Sequence, residues 1–506
     1  MYTQELHVCL FQRRLDLNAQ TRIMLACIAL NKPKWGRITE LAIKYNTSRQ
    51  FIYNLRNQLS SYIENYFSKK EKIDKSSKKA SSEQLALVLR FEGKCSIEGA
   101  SSVMERLGVP YSSVGFISQT LTQIGKKIGN DLDKISSETP ILLAFCSDEI
   151  FSNQTPILIT VCPISMMILR IELSENRKGE SWEKHWESLR LQGYTPVVIA
   201  KDEGLSMELA RTLVYSDIPC QSDTFHAVAH RLGIWRSRLE KAAYTAIEQE
   251  YKKLQVLDRT KSGKTFDKRY IKHIDSRKKS QCAIELYESF EFLYYCLLDC
   301  FQIFDSSGKL KNEAQRIADF DAALELIEAL KNAQLNDQLK KIRNCKEDLF
   351  YFAKIAKEVI AELSQTIDND VLELFCLAYQ SQKNSIKLKK KAELKKALKR
   401  KEQHILDKIR LRLGAKYEGI KNEVYSKLEQ IIQSSAAVEC INSILRPYLN
   451  TSKNKPSQEF LNLFMFYHNH RRFAAGKRKG KTPFELFSGE PQLKNWLDLL
   501  LEKAVA

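Results

Sequence analysis

The sequence has no closely paired cysteines and no long apolar run. Its twelve cysteines are scattered, and none are spaced as Cys-x-x-Cys, so a zinc finger is not expected and unpaired thiols favour a reducing compartment. No apolar stretch approaches the roughly 20 residues of a membrane span. The amino terminus, Met1 to Leu10, lacks the basic-then-apolar pattern of a secretion signal. These absences predict a cytoplasmic protein with no membrane partner.

Acidic residues are in the minority. The chain has 80 lysine and arginine residues against 61 aspartate and glutamate residues, which leaves a formal net charge of +19. The basic residues are spread along the whole chain, and an extended basic surface needs a polyanionic partner, of which nucleic acid is the commonest. The alternative is a protein of high isoelectric point with no such partner.

Glycine and proline are sparse between residues 235 and 430, where a helical period continues throughout. Before this stretch, from Ile141 to Leu173, short runs of β-branched and apolar residues predict consecutive strands. A predicted helix, a short apolar strand (PVVIA) and a second helix follow. The order β-β-β-α-β-α indicates an α/β core, a mixed sheet flanked by helices, that is interrupted by a large all-α insertion.

A chain of 506 residues is long enough for three or four domains. The predicted segments are an N-terminal all-α helix-turn-helix DNA-binding domain (1–67), a flexible Lys/Ser linker (68–82), a second helix-turn-helix-like domain (83–137), the first part of the α/β core (138–234), the all-helical insertion (235–430), the second part of the core (431–490) and a C-terminal tail helix (491–506).

The first helix-turn-helix candidate lies at residues 38–59. A helix-turn-helix needs a small residue where its helices touch, a turn-permissive residue four positions later and a branched apolar residue six positions after that. Ala42, Asn46 and Ile52 have this spacing, and Ser48 is a good N-cap for the second helix. A plain helical hairpin is the alternative. The side chains expected to face outward towards bases and phosphates are Arg49, Gln50, Tyr53, Asn54 and Arg56.

A second, weaker candidate runs from Ser96 to Leu121. Gly108 would form the turn, and Val114 and Ile117 are expected to pack inward. Met104 occupies the position where a small residue is preferred. DNA binding and a plain helical hairpin are equally compatible with this segment.

Three carboxylates stand at the ends or on the faces of predicted core elements. Asp148 is expected to end the first strand, Asp202 follows the fourth strand, and Glu439 lies in a late helix. Phosphoryl transfer with two metal ions needs such acids to converge, because hard Mg²⁺ ions prefer carboxylate oxygens and sit about 4 Å apart. Any one of these acids alone is more simply a turn or cap residue.

Several local motifs accompany these acids. They are the strand order around Asp148 and Asp202, the sequence Asp202-Glu203-Gly204-Leu205, the sequence Asp223-Thr224-Phe225-His226, the set Glu439, Asn442, Ser443 and Arg446, and the ending YHNHRRF…GKTPFELF. In combination they resemble the DDE transposases with a ribonuclease-H-like core, especially bacterial insertion-sequence enzymes with an all-helical insertion. The resemblance covers about residues 140–230 and 434–490.

The resemblance implies a DNA transposase that binds the terminal inverted repeats of a mobile element, cleaves DNA strands and joins them to target DNA. Asp148, Asp202 and Glu439 would be the catalytic triad and would bind two Mg²⁺ ions, for which Mn²⁺ is expected to substitute. Asp223 and His226 would organise the site, although a structural histidine is an equal alternative. A homodimer or larger assembly on double-stranded DNA, in the nucleoid of a bacterial cytoplasm, is expected.

Further DNA contacts are predicted near the site and in the late helices. The residues are His230, Arg231, Arg446, Arg471 and Arg472. The wide separation of Asp202 from Glu439 along the chain is explained by the helical insertion, whose basic stretch from Ile386 to Arg412 suits either phosphate contact or a solvated face. Trp235 is expected in a core rather than against an extruded base.

Two alternatives stay open at this point. A sequence-specific DNA-binding regulator with an inactive core would use the N-terminal helices equally well, although it would not need all three acids. A structure-specific nuclease on the same core would not need paired helix-turn-helix units. A nucleotide-binding phosphate loop is not expected, because neither Gly-Lys-Thr triplet has a glycine five residues earlier.

Overall fold

The computed structural model describes residues 17–31, 33–67, 81–129, 141–202, 204–330, 333–388 and 391–505. The chain divides into two compact units, residues 1–81 and 82–506. The predicted flexible linker lies almost wholly outside the described residues.

The first unit contains three helices around a small core. They are α1 (Ala19–Leu30), α2 (Arg37–Lys44) and α3 (Arg49–Phe67). Ala42 and Ile52 are buried in this core, and Asn46 turns the chain with a φ of 46°. The Ser48 hydroxyl accepts a hydrogen bond from the Phe51 amide at 3.0 Å. The spacing of these four residues therefore produces the helix, turn and helix that it predicts.

The second unit begins with α4 (Ser82–Phe91), α5 (Ile97–Arg106) and α6 (Val114–Ile128). Gly108 turns the chain with a φ of +65°, and Met104 and Ile117 are fully buried. The inward placement expected of Val114 is wrong, because this residue starts α6 beside its cap Ser113 and is 44% exposed. These helices share one hydrophobic core with the sheet that follows.

A mixed five-stranded sheet forms the centre of the second unit. Its strands are β1 (Ile141–Ser152), β2 (Thr155–Cys162), β3 (Met167–Leu173), β4 (Tyr194–Lys201) and β5 (Cys220–Ser222). The order is β3-β2-β1-β4-β5. Strands β1, β2 and β3 are antiparallel, whereas β4 and β5 run parallel to β1. The α/β core flanked by helices is thus confirmed.

The two faces of the sheet pack against different helices. Helices α7 (Gly179–Leu191) and α8 (Leu205–Val214) cover one face. The opposite face packs against the carboxyl-terminal helices, which are α17 (Ala436–Thr451), α18 (Gln458–His470) and α20 (Trp496–Val505). The short helix α19 (Pro483–Ser488) carries a capping box. After β5 the chain passes into a helical region, residues 225–428, and α17 then joins the core of the sheet.

Between β5 and α17 the chain is helical, as the sequence predicts. A π-helix (Phe225–His230) leads into α9 (Arg231–Asp258) and α10 (Lys264–Cys300). The remaining helices are α11 (Glu313–Glu328), α12 (Ala333–Asn344), α13 (Lys346–Leu363), α14 (Asn369–Lys387), α15 (Ala392–Leu413) and α16 (Tyr417–Leu428). They surround a separate hydrophobic core. No helix in the described ranges has the length and apolar character needed to cross a bilayer.

Candidate functional site

Asp148 lies within β1 and not at its end, because pairing with β2 continues to Ser152. Side chains alternate along a strand, and Asp148 shares its face with Cys146 and Ile150, which pack in the core that includes α17. From α17 the Asn442 side-chain amide donates a hydrogen bond to Asp148 Oδ2 at 2.9 Å. Strand β1 and helix α17 are thus joined at this acid.

The neighbouring acid Glu149 points to the other face. It forms an ion pair of 3.1 Å with Arg177, whose side chain is 65% exposed. Burial raises the pKa of Glu149, and the bond to Arg177 opposes that rise. Of the two adjacent carboxylates, Asp148 is therefore the one that faces α17.

Asp202 follows the last residue of β4. Its Oδ1 accepts a hydrogen bond from the Gly204 amide at 2.8 Å, just before α8 begins. Cys146 of β1 pairs with Ala200 of the parallel strand β4, so Asp148 and Asp202 both stand two residues beyond the same pair. Parallel register therefore brings them to one edge of the sheet.

Glu439 approaches this edge from the first turn of α17. Burial, and then the charges of Glu149, Asp202 and Glu439, raise the pKa of Asp148 to about 7. The structure brings the three predicted acids to one edge of the sheet, because β1 and β4 run in parallel register there and Glu439 lies one helical turn before Asn442, which contacts Asp148. It does so although the whole helical region lies between Asp202 and Glu439 in the sequence.

Asp223 connects the end of β5 to the start of α17. This buried carboxylate accepts hydrogen bonds from the amides of Phe225 (2.7 Å) and His226 (3.1 Å) through Oδ1. Through Oδ2 it accepts bonds from the amide (2.8 Å) and hydroxyl (2.5 Å) of Ser435. All four bonds hold protein groups, so Asp223 anchors the helix that carries Glu439.

His226 contacts Glu439 directly. Its Nε2 forms a hydrogen bond with Glu439 Oε1. Burial opposes protonation of His226, but this bond and the charge of Asp223 outweigh it and raise the pKa of His226. The pairing of a carboxylate with a neighbouring imidazole orients Glu439.

The π-helix that carries His226 also exposes an aromatic group that the sequence reasoning missed. Phe225 is 49% exposed, and its ring centroid lies 5.3 Å from that of His226 and 5.9 Å from that of His230. A cavity of about 550 Å³ opens beside it, with Arg238 and Lys241 on its lining. In the sequence, Phe225 is the apolar residue within the polar motif Asp223-Thr224-Phe225-His226, and this contrast is the signal that could have indicated its role.

The donor types at this site suit Mg²⁺, but their spacing is not that of a metal cage. In the part of the chain that the structure describes, no three His, Cys, Asp or Glu side chains are close enough to hold a metal ion. Burial first, and then the charges of neighbouring carboxylates, raise the pKa of Asp148, and Asn442 Oδ1 is buried with no hydrogen-bond partner. Asp148, Asp202 and Glu439 offer the oxygen ligands that this ion prefers.

The predicted DNA contacts fall into two groups. On α3, Arg49, Gln50, Tyr53 and Asn54 are exposed and Arg56 is half-buried, with Gln50 Nε2 donating to Asn54 Oδ1 at 3.0 Å. Near the site and in the late helices, His230 and Arg446 are exposed, Arg231 is half-buried, and Arg471 and Arg472 make internal contacts to Tyr467 and Glu485.

Trp235 packs against the core of the helical region, and the Arg238 guanidinium lies 5.1 Å from its ring centroid. This placement agrees with the expectation of a core tryptophan.

No model of a known protein family matches the chain, and no curated protein matches it either.

Proposed function

We propose that this chain is a DNA transposase of the DDE type, with a ribonuclease-H-like core. The observation that carries the proposal is the approach of Asp148, Asp202 and Glu439 to one edge of a mixed sheet, through the parallel register of β1 and β4 and the contact of Asn442 on α17 with Asp148. The strand order β3-β2-β1-β4-β5 is compatible with such a core. The excess of basic residues supports a nucleic acid as substrate.

The proposed reaction exchanges phosphodiester bonds without an external energy source. Water attacks the phosphorus at the element end, the bond from phosphorus to O3′ breaks, and the strand is released with a 3′-hydroxyl. That hydroxyl then attacks a phosphodiester of target DNA in line. Its oxygen forms a bond to the target phosphorus, and the target strand's bond from phosphorus to O3′ breaks, which leaves a free 3′-hydroxyl on the target strand.

The side chains have distinct parts in this proposal. Asp148, Asp202 and Glu439 would hold two Mg²⁺ ions, which when bound would activate the nucleophile and stabilise the leaving oxygen. Asn442 holds the Asp148 carboxylate, Asp223 anchors the start of α17, and His226 orients Glu439. Asp223 and His226 are positioning residues, because Asp223 acts through the helix that carries Glu439 and His226 acts through the Glu439 carboxylate.

Recognition of the terminal repeats is assigned to the first unit. The exposed side chains on α3 have the donors and acceptors that read base edges in the major groove. A dimer or larger assembly is expected, because transposition joins two DNA ends.

The test is a map of strand nicks on the DNA that flanks the gene, with Mg²⁺ present. Asp202→Asn and Glu439→Gln should retain DNA binding and lose cleavage by at least about 100-fold, because each removes a charged oxygen ligand. Glu187→Gln is the matched control, since it removes the same charge from α7, where Glu187 pairs with Arg190 at 2.6 Å, and should keep cleavage. Cleavage at the wild-type rate by either of the first two variants would contradict the assignment.

A DNA-binding regulator with an inactive core is the second candidate. The observation that favours it is the hydrogen bond between His226 and Glu439, which engages one of the carboxylate oxygens that a metal ion would need. Binding to the flanking DNA without any nicks, in Mg²⁺ and in Mn²⁺, would support this candidate and reject the first.

A further inference from the structure

Helices α9 and α10 form a long hairpin whose outer part lies outside the hydrophobic core of the helical region. They have 28 and 37 residues and are joined by a short turn that ends at Gly263. On α9, Leu239 is the last residue that belongs to or contacts the core of the helical region. On α10, Phe290 is the first apolar residue that does so. Residues 240–289, here called the arm, extend beyond that core by roughly 30 Å at 1.5 Å per residue.

Within the arm, the interface between α9 and α10 buries few residues. Its buried residues are Ala243, Leu257, His273, Ser276 and Ser280. Most of them are small, which lets the two helices approach closely but supplies little apolar burial. Most of the arm's surface therefore faces solvent.

The outer part of the arm is strongly basic. Residues 252–279 contain eleven lysine and arginine residues and three aspartates. Among the described residues, Lys252 is the only one of these cations within salt-bridge distance of a carboxylate, that of Glu248 at 2.8 Å. Unpaired cations this dense repel one another unless an anion lies between them.

The cations on α10 are also aligned. Lys264, Lys268, Lys272 and Lys279 are all exposed and, at 100° per residue, lie within a sector of roughly 80°. Successive members of the first three are about 6 Å apart along the helix. A linear row of cations fits a linear row of phosphates better than it fits a compact anion.

We propose that the arm binds the phosphate backbone of duplex DNA away from the carboxylate site. The charge and the reach of the arm carry the inference, which rests on the proposed function only in taking duplex DNA as the polyanion. The arm would add affinity without sequence preference, because phosphate contacts position a protein on DNA and base contacts specify the site.

The test measures how the affinity of the full chain for a DNA duplex of arbitrary sequence depends on salt concentration, with EDTA present. The duplex has ~40 base pairs, so that it is longer than the arm. The test variant is K264Q/K268Q/K272Q/K279Q. The matched control, K340Q/K341Q/K354Q/K357Q, removes four charges from exposed positions on α12 and α13. Each lost phosphate contact lowers the slope of log K against log salt by about 0.9. We expect the test variant to lose about 3 in slope and about tenfold or more in affinity, and the control to lose less than about 1.

An unchanged slope in the arm variant, or an equal loss in the control, would overturn the inference. Tighter binding to phosphatidylserine vesicles than to duplex would also overturn it. Circular dichroism and a thermal melt check that both variants fold, and the double variant K264Q/K268Q should show about half of the slope change. Because the assay contains no metal and needs no cleavage, a chain that binds through the arm but never nicks DNA refutes the proposed activity alone.

Discussion

At the scale of single residues, Asp148 lies in an environment that disfavours its negative charge. It is the acid on β1 that faces α17, and its carboxylate is held by Asn442 at 2.9 Å. Burial and three neighbouring carboxylates raise its pKa to about 7. An acid in such a position is unstable as an anion unless a cation joins it.

This environment predicts how Asp148→Asn changes stability with pH. The folded state holds the proton of Asp148 more tightly than the unfolded state, so the free energy of unfolding falls as pH rises from about 4 to about 7. Asparagine stays neutral throughout. In metal-free protein, the variant should therefore gain stability relative to wild type across this window, up to about 4 kcal/mol above pH 7.

Denaturant unfolding in EDTA at several pH values measures this difference. Added Mg²⁺ should reduce it, because a bound cation stabilises the wild-type carboxylate. A difference that is the same at low and high pH would show that Asp148 has an ordinary pKa.

At the scale of elements, the site depends on where helices cross. Helix α6 meets the start of α18 at Gly125, where an added Cβ would lie 2.3 Å from the carbonyl oxygen of Glu459. Backbone cannot move aside as a side chain can. The glycine therefore sets the distance between α6 and a helix that packs on the sheet.

Gly125→Ala should destabilise the second unit by about 1–3 kcal/mol, because it overpacks a helix crossing. Gly115→Ala, on the same helix with nothing within 4 Å of its added Cβ, should be neutral or stabilise by about 0.5 kcal/mol through helix propensity. Thermal unfolding of both variants gives the comparison. Equal stability of the two variants would mean that the crossing of α6 and α18 has room for an added methyl group.

At the scale of the whole molecule, the two units have separate hydrophobic cores. Residues 82–506 should therefore fold without residues 1–81 and retain Mg²⁺-dependent nicking on DNA of arbitrary sequence. They should lose preference for the element ends by about 100-fold or more, because the base-reading side chains are assigned to α3.

Competition binding with end and random duplexes measures this preference, and the full chain with Arg49→Ala and Asn54→Ala is the point-substitution control. If residues 82–506 still select the element ends as tightly as the full chain, then α4 to α6 are the recognition helices. That result would move recognition to the second helix-turn-helix candidate.

Short-range patterns were enough to predict the elements. The positions of Ala42, Asn46 and Ile52 specify a helix, a turn and a helix, and the apolar runs from Ile141 to Leu173 specify strands. Such spacing encodes local backbone shape and which side chains are buried, both of which depend on neighbours within a few residues. Val114 was misplaced because a pattern cannot show where a helix first reaches the core.

By itself the sequence determined the helices, the strands, the basic charge and the three acids that stand out among them. Only the tertiary structure decided that Asp148 and not Glu149 faces α17, that Asp223 ties β5 to Ser435, and that His226 meets Glu439. These contacts join segments that lie far apart in the sequence, and their geometry is set by parallel register in the sheet and by the path of the helices that return to it. No local spacing carries that information, because the energy that selects the path comes from packing between elements rather than within them.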